Sequence, residues 1–378
     1  MAETTALDQT LIDRIAEDAR EVWPDNFADI EEMFNRCCFA IAVAAMRSFG
    51  LFGSKGDTET FDTIRTKVKL FKDAEYVTKH LLRILVDEGM LERQGESWVC
   101  VDPDPYVETP AESLVTATRS FPEEGAPFQW LARAADGLVA FMKGELYAEE
   151  VMFPQGSFKL VEEVYNTSNV YGFYSRLAAK AIKRLLEARD GPVTMLEVGA
   201  GTGNGTANVL GQVDDRFERY VFTDVSKSLV QMGQRRFKKS GYDFLEYRTL
   251  DVCADIAAQQ FEPQCADIIL AVNVLHATSD IRLALRNLRP LLRPDGLLVL
   301  SEIAPPPGGI YRYMELTFGL LPSYNAYDDT DRRPVAPIIR PDEWVSAFRD
   351  AGYAAVEAIP GERWSDMDRG GIVIGSNT

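Results

Sequence analysis

From Thr194 onward the chain alternates strand and helix, which predicts an α/β fold built on a doubly wound, mostly parallel sheet, preceded by a mainly helical N-terminal part. Three observations carry that expectation. An apolar run feeds a glycine turn across residues 193–206 (Val-Thr-Met-Leu-Glu-Val-Gly-Ala-Gly-Thr-Gly-Asn-Gly-Thr). Later apolar runs stop at acids, namely Asp224, Asp251 and Glu302. The first 157 residues instead carry helical periodicity.

In chain order, residues 11–19 read as a short amphipathic helix. Residues 27–52 are apolar nearly all round in their second half, so a buried helix is expected, stopped by Gly50 and Gly53. Residues 75–88 place Leu81, Leu82, Ile84 and Leu85 on one face, and residues 90–101 alternate around Gln94-Gly95 as a small hairpin. Helix then hairpin is the outline of a winged helix. Phe153-Pro-Gln-Gly-Ser157 reads as the hinge, dividing the chain into an N-terminal cap (1–157) and a core (158–378). A helix over 170–188 carries Tyr171 and Tyr174 three apart, either as packing between the two parts or as a cover over a ligand. Strands follow at 194–198, 220–224, 244–250, 266–272 and 296–302. A helix at 342–351 and strands at 354–359 and 371–375 complete a seven-stranded sheet.

Composition is that of a globular protein, with 46% hydrophobic and 26% charged residues, and 378 residues suffice for two cores. The longest uncharged apolar run, 37–46, is too short to span a bilayer. No basic-then-apolar leader opens the sequence, and the five cysteines form no Cys-x-x-Cys pair, so a reduced, cytoplasmic protein is expected. A net charge of −18 argues against nucleic acid or an anionic membrane as the main partner. Arg282, Arg286, Arg289 and Arg293 are spaced as a stripe on one helix face. They are either solvated surface or a docking site for an acidic partner.

The glycine turn is not a dinucleotide fingerprint. Gly199 and Gly201 would need glycine at position 204, which is Asn204, while Gly201 and Gly203 would need it at 206, which is Thr206. Glu197 sits where a pyrophosphate would lie, and a carboxylate there repels phosphate and suits an ammonium group. Asp224 follows Gly203 by 21 residues, where a carboxylate accepts ribose hydroxyls, and Asp251 is placed for an adenine amino group. Adenosine plus an amino acid without phosphate describes S-adenosylmethionine.

His276 is one of two histidines. It follows the fourth strand of the core at the same sheet edge as the turn, next to the strand that ends in Glu302. A carboxylate beside an imidazole fixes its tautomer and strengthens it as a base. His80 falls in an amphipathic helix and is expected to be structural. No metal-ligand cluster accompanies the pair, so metal-dependent chemistry is not expected.

Several segments together resemble the carbon-methyltransferase domains of polyketide synthases. They are Leu196-Glu-Val-Gly-Ala-Gly-Thr-Gly, Tyr220-Val-Phe-Thr-Asp-Val-Ser, Asn273-Val-Leu-His-Ala-Thr, Leu291-Leu-Arg-Pro-Asp-Gly-Leu-Leu-Val-Leu-Ser-Glu, Phe318-Gly-Leu-Leu, Asp329-Thr-Asp-Arg-Arg-Pro with Pro341-Asp-Glu-Trp, and Val151-Met-Phe-Pro-Gln-Gly-Ser. The resemblance implies a Rossmann-like class I methyltransferase core. It also implies methylation at the α-carbon of a β-ketoacyl phosphopantetheine thioester on an acyl carrier protein, with His276 and Glu302 as the dyad. The expected cofactor contacts are Glu197, Gly199, Ala200, Gly201, Gly203, Asp224, Val225, Asp251, Val252 and Asn273, and the expected substrate contacts are Tyr171, Tyr174, Phe318 and Tyr324. Adjacent synthase domains are expected partners, and the isolated domain is expected to be a monomer. Where the family carries a tryptophan-rich stretch after Phe318-Gly-Leu-Leu, this chain has Pro322-Ser-Tyr-Asn-Ala-Tyr, so Tyr324 is assigned the aromatic wall. A small-molecule O-methyltransferase with a winged-helix domain is the alternative; there the histidine is typically followed by Asp-Trp, here by Ala277-Thr278. A non-catalytic scaffold and a DNA-binding regulator stand further off.

Overall fold

The computed structural model describes residues 7–306, 310–334, 336–359 and 370–378. Along it run α1 (Gln9–Val22), α2 (Phe27–Ser48), β1 (Thr58–Thr60), α3 (Phe61–Val68), α4 (Glu75–Asp87), β2 (Leu91–Gln94), β3 (Ser97–Cys100), α5 (Pro110–Ser120), α6 (Gly125–Met142), α7 (Ala148–Met152), α8 (Lys159–Thr167) and α9 (Asn169–Glu187). Then come β4 (Val193–Val198), α10 (Asn204–Val213), β5 (Phe217–Asp224), α11 (Lys227–Phe237), β6 (Leu245–Thr249), β7 (Ala266–Val272), α12 (Ile281–Leu288), β8 (Leu292–Ile303), α13 (Arg312–Thr317), α14 (Pro341–Asp350), β9 (Val356–Ile359) and β10 (Gly370–Ser376).

These elements group into two compact units. One takes the chain up to Trp23, then Gly172–Ile310 and Tyr327 onward; the other takes Pro24–Tyr171 with Tyr311–Ala326. The sequence places one boundary after Ser157, whereas contact density divides the chain inside α9, between Tyr171 and Gly172. Long-range side-chain contacts also gather segments distant in sequence into each unit. Asp18 on α1 receives two hydrogen bonds from Arg184 on α9, at 2.7 and 3.0 Å, which ties the first helix to the sheet unit. Tyr313 on α13 stacks on Phe34 of α2 with ring centroids 4.4 Å apart, which ties a late helix to the helical unit.

The sheet unit carries seven strands in the order β6-β5-β4-β7-β8-β10-β9, parallel except for β10, which runs antiparallel to both β8 and β9. The chain leaves β4 outward to β5 and β6, then returns to β7 on the other side. The carboxyl ends of β4 and β7 therefore flank the switch point, where open α/β sheets bind ligands. Every residue of β4 is buried, as a strand covered on both faces requires. Leu196, Val198, Ile269, Ala271, Leu298 and Leu300 form the core with Leu285 and Leu288 of α12 and Trp344 and Phe348 of α14.

In the helical unit, the β2–β3 hairpin turns at Gly95, whose φ of +62° suits a tight primed turn. β1 pairs with β3 and completes a three-stranded sheet; its three residues are too few to show alternation in sequence. Among the described residues, no helix is long and apolar enough to cross a membrane.

Glu315 on α13 is buried in this unit and accepts hydrogen bonds from the hydroxyls of Tyr76 and, at 3.2 Å, Tyr324. Burial outweighs those bonds and pushes its carboxyl from 4.5 up to about 7. The folded state thus holds this proton more tightly than the unfolded chain. The group's contribution to stability is full below its unfolded pKa of about 4.5 and is lost as pH rises through about 7. Urea unfolding at pH 5 and pH 8 is expected to show wild type losing stability across that window and Glu315→Gln losing less, the difference bounded by about 3 kcal/mol.

Candidate active site

The glycine turn leaves β4 with three positive φ values, +59° at Gly199, +56° at Gly201 and +81° at Gly203. Space is as restrictive as conformation at the first of these: a Cβ on Gly199 would lie 2.1 Å from Cγ2 of Val274. The turn closes on itself through Gly203 N–H to Ala200 O at 2.8 Å, and Ala200 N–H donates to Thr223 O at 2.8 Å. Arg236 donates to Thr202 O at 2.7 Å from outside.

Asp224 ends β5 and braces the same turn. One carboxylate oxygen accepts from Gly201 N–H at 3.0 Å and the other from Ser226 N–H at 2.8 Å. Burial nonetheless raises its pKa. Val225 next to it is exposed. Asp251 lies just past β6 and is exposed, one oxygen accepting from Cys253 N–H at 2.9 Å, while Val252 is buried.

Glu197, at the end of β4, is held by protein groups on both oxygens. Its Oε2 accepts from the Thr206 hydroxyl at 2.5 Å and the Tyr220 hydroxyl at 2.6 Å. Its Oε1 lies so close under α10 that a Cβ on Gly205 would come within 2.4 Å of it. Burial pushes the carboxyl up to about 7; an ammonium group near the turn would draw it back down. Thr206, Tyr220 and Gly205 were not singled out by sequence reasoning. The only trace of the last was glycine at every second position from 199 to 205.

His276 lies on a single 3₁₀ turn, Leu275–Ala277, after β7. Its Nδ1 is 2.5 Å from Oε2 of Glu302, and both side chains are buried. The other oxygen of Glu302 accepts from the N–H groups of Val274 and Leu275 at 2.9 Å each, and more weakly from His276 N–H at 3.4 Å. A carboxylate at Nδ1 assigns the ring proton to that nitrogen and leaves the Nε2 lone pair to act. Asn273, an expected cofactor contact, also joins strands: its Oδ1 accepts from Ile303 N–H at 2.9 Å and its N–H donates to Ser301 O at 2.8 Å. It does so at a φ of +48°, which asparagine tolerates better than most residues.

The expected substrate residues separate. Tyr171, Phe318 and Tyr324 belong to the helical unit, where Phe318 lies 6.3 Å from Tyr171 and 6.2 Å from Tyr324 by ring centroids. Tyr174 belongs to the sheet unit; its ring lies 5.1 Å from that of Phe173, and its carbonyl accepts from Ser301 Oγ at 2.9 Å.

The arginine stripe does not form. α12 ends at Leu288, which puts Arg289 in a 3₁₀ turn and Arg293 in β8. Arg282 pairs with Asp331 at 3.0 Å, Arg293 with Asp267 at 2.6 Å, and Arg289 donates to Asn377 O at 3.3 Å.

The turn fits the cofactor read from sequence: a left-handed glycine cradle with no room for a Cβ at Gly199, and a carboxylate, Asp224, at the end of the next strand. Residues 196–298 match the family model described as Methyltransferase domain. Polyketide synthase ThaQ of Burkholderia thailandensis is 33% identical over 288 residues, which is 73% of this chain and 14% of that protein. The CurJ carbon methyltransferase superposes with a TM-score of 0.87 at 25% identity, covering 98% of each chain. A trans-methyltransferase CalH structure in complex with SAH shares the fold, with a TM-score of 0.67 at 23% identity over 93% of this chain and 92% of that one. Fold and turn together define a class I methyltransferase that uses S-adenosylmethionine. The chain belongs with the carbon-methyltransferase domains of polyketide synthases, and it spans only a small part of ThaQ's length.

Calorimetry is expected to show Gly199→Ala binding S-adenosylmethionine at least about tenfold more weakly than wild type. Gly211→Ala, where the added Cβ meets nothing within 4 Å, is expected to bind normally.

Proposed function

We propose that this chain transfers a methyl group from S-adenosylmethionine to the α-carbon of a β-ketoacyl thioester carried on an acyl carrier protein. The observation that supports it most directly is the His276–Glu302 pair, 2.5 Å apart at the carboxyl edge of the sheet, its loop packed through Val274 against Gly199 of the cofactor turn.

The residues suit the chemistry. An α-carbon between two carbonyls is acidic enough for an imidazole base. Nε2 of His276 takes that proton, and Glu302 stabilises the imidazolium through Nδ1–H without itself being protonated. Because Glu302 also holds the N–H groups of Val274 and Leu275, ring and loop share one anchor, which keeps the base aligned. S-adenosylmethionine, when bound, supplies an electrophilic methyl group to the enolate carbon. In this reading Gly199, Ala200, Gly201, Gly203, Asp224, Val225, Asp251 and Val252 line its site. Glu197 acts by bracing the turn, and Asn273 by bracing the strand end. Phe318, Tyr324 and Tyr171 offer an aromatic surface to the acyl chain. The polyketide synthase names of relatives support a carrier-bound substrate and neighbouring synthase domains as partners.

Incubation with S-adenosylmethionine and an acetoacetyl-carrier thioester, read by tandem mass spectrometry, is expected to place the methyl on carbon; a methyl on oxygen would establish the O-methyltransferase reading instead. His276→Ala is expected to lower kcat by about 10²-fold or more, and Glu302→Gln by less. Across a panel of acyl lengths, Tyr324→Ala is expected to alter the preference; unchanged turnover at every length would remove Tyr324 from the acyl wall.

A further inference from the structure

The loop that carries His276 is held from two sides, its N–H groups by one residue and its carbonyls by another. A lone 3₁₀ turn of three residues has little stability of its own and leaves its carbonyls in need of partners. On the N–H side the partner is Glu302. On the carbonyl side it is Arg333, which is buried with no exposed side-chain surface. Its Nη1 donates to His276 O at 2.8 Å and Thr278 O at 3.0 Å; its Nη2 donates to Thr278 O at 3.0 Å and Ser279 O at 3.1 Å. Nε donates to Oδ1 of Asp329 at 2.6 Å, an oxygen that Nη2 also meets, and this carboxylate is equally buried.

Asp329 in turn reaches the far end of the same loop. Its Oδ2 accepts from Ile281 N–H at 3.1 Å, in the first turn of α12. Asp328 N–H adds a bond to Ser279 O at 2.8 Å, and the Tyr327 ring lies 4.3 Å from the guanidinium carbon.

Taking both charges out of water is costly, and apolar residues of similar volume often stabilise a fold as well or better. What apolar residues would not supply is the fork: one rigid guanidinium meeting the carbonyls of residues 276, 278 and 279 together. One of those carbonyls belongs to the histidine itself.

We propose that Arg333, aligned by Asp329, is a positioning residue for methyl transfer: it fixes the His276 loop from its carbonyl side as Glu302 fixes it from its N–H side. The proposal rests on His276 acting as the base. A misplacement of the base by about 1 Å is enough to cost about 10²-fold in rate, so loss of the fork is read in the proton-abstraction step rather than in cofactor binding.

The test isolates that step. Deuterium uptake from D₂O at the α-carbon of acetoacetyl-pantetheine, followed by mass spectrometry without S-adenosylmethionine, reports proton abstraction alone. Arg333→Lys keeps the charge opposite Asp329 but not the fork. It is expected to lower the saturated exchange rate by about tenfold or more, to leave KM within about twofold, and to bind S-adenosylmethionine as wild type does by calorimetry. A purely structural role would move cofactor binding and exchange together or neither, and either result overturns the proposal.

Where Arg333→Lys lacks the folded far-ultraviolet spectrum, Asp329→Asn takes its place with a fall of about threefold or more expected; exchange within about twofold of wild type overturns the proposal. His276→Ala is the control. If it exchanges at the wild-type rate, the reading of His276 as base fails; if it is inactive while Arg333→Lys is unaffected, the positioning role alone fails.

Discussion

The structure of the site depends on one carboxylate. Glu302 lies at the end of β8, inside the sheet, and its two oxygens do different things: one meets the imidazole of His276, the other collects backbone N–H groups from residues 274–276. Without those N–H groups the carboxylate would be a buried anion with one partner. Without the carboxylate the short turn after β7 would have unsatisfied donors. Each satisfies the other, at the neighbouring carboxyl ends of β7 and β8.

The same economy appears at the glycine turn. Asp224 and Glu197 hang from neighbouring strands and are committed largely to the protein: Asp224 to Gly201 and Ser226, Glu197 to Thr206 and Tyr220. Their first effect is to brace the glycine turn and the helix that follows it. Gly199 joins this turn to the histidine loop, because the space a Cβ would need there is filled by Val274, two residues before His276. Cofactor cradle and candidate base are therefore parts of one packed edge.

Much of this was legible in the sequence because it is local. Apolar runs separated by helical periodicity locate β4 through β8 within a few residues, and their terminal acids mark the carboxyl edge. The neighbouring positions of His276 and Glu302 follow from consecutive parallel strands in a doubly wound sheet. The stripe of arginines was misleading for a physical reason. Spacing of four, three and four suggests one helix face, but Pro290 closes the helix early, so Arg289 and Arg293 point to partners of their own.

The sequence by itself determined the strand–helix alternation, the glycine turn that excludes a dinucleotide fingerprint, and the residues able to carry acid–base chemistry, since all of these are set by side-chain type and short-range spacing. The tertiary structure decided which polar groups are spent on one another. It committed Glu197 to Tyr220 and the Asn273 amide oxygen to Ile303, divided the chain inside α9, sent Tyr171 and Tyr174 to different units, and brought Asp329 and Arg333 onto a loop some fifty residues earlier. Those outcomes rest on hydrogen bonds between residues distant in the chain, which buried donors and acceptors must find and which spacing along the sequence does not encode.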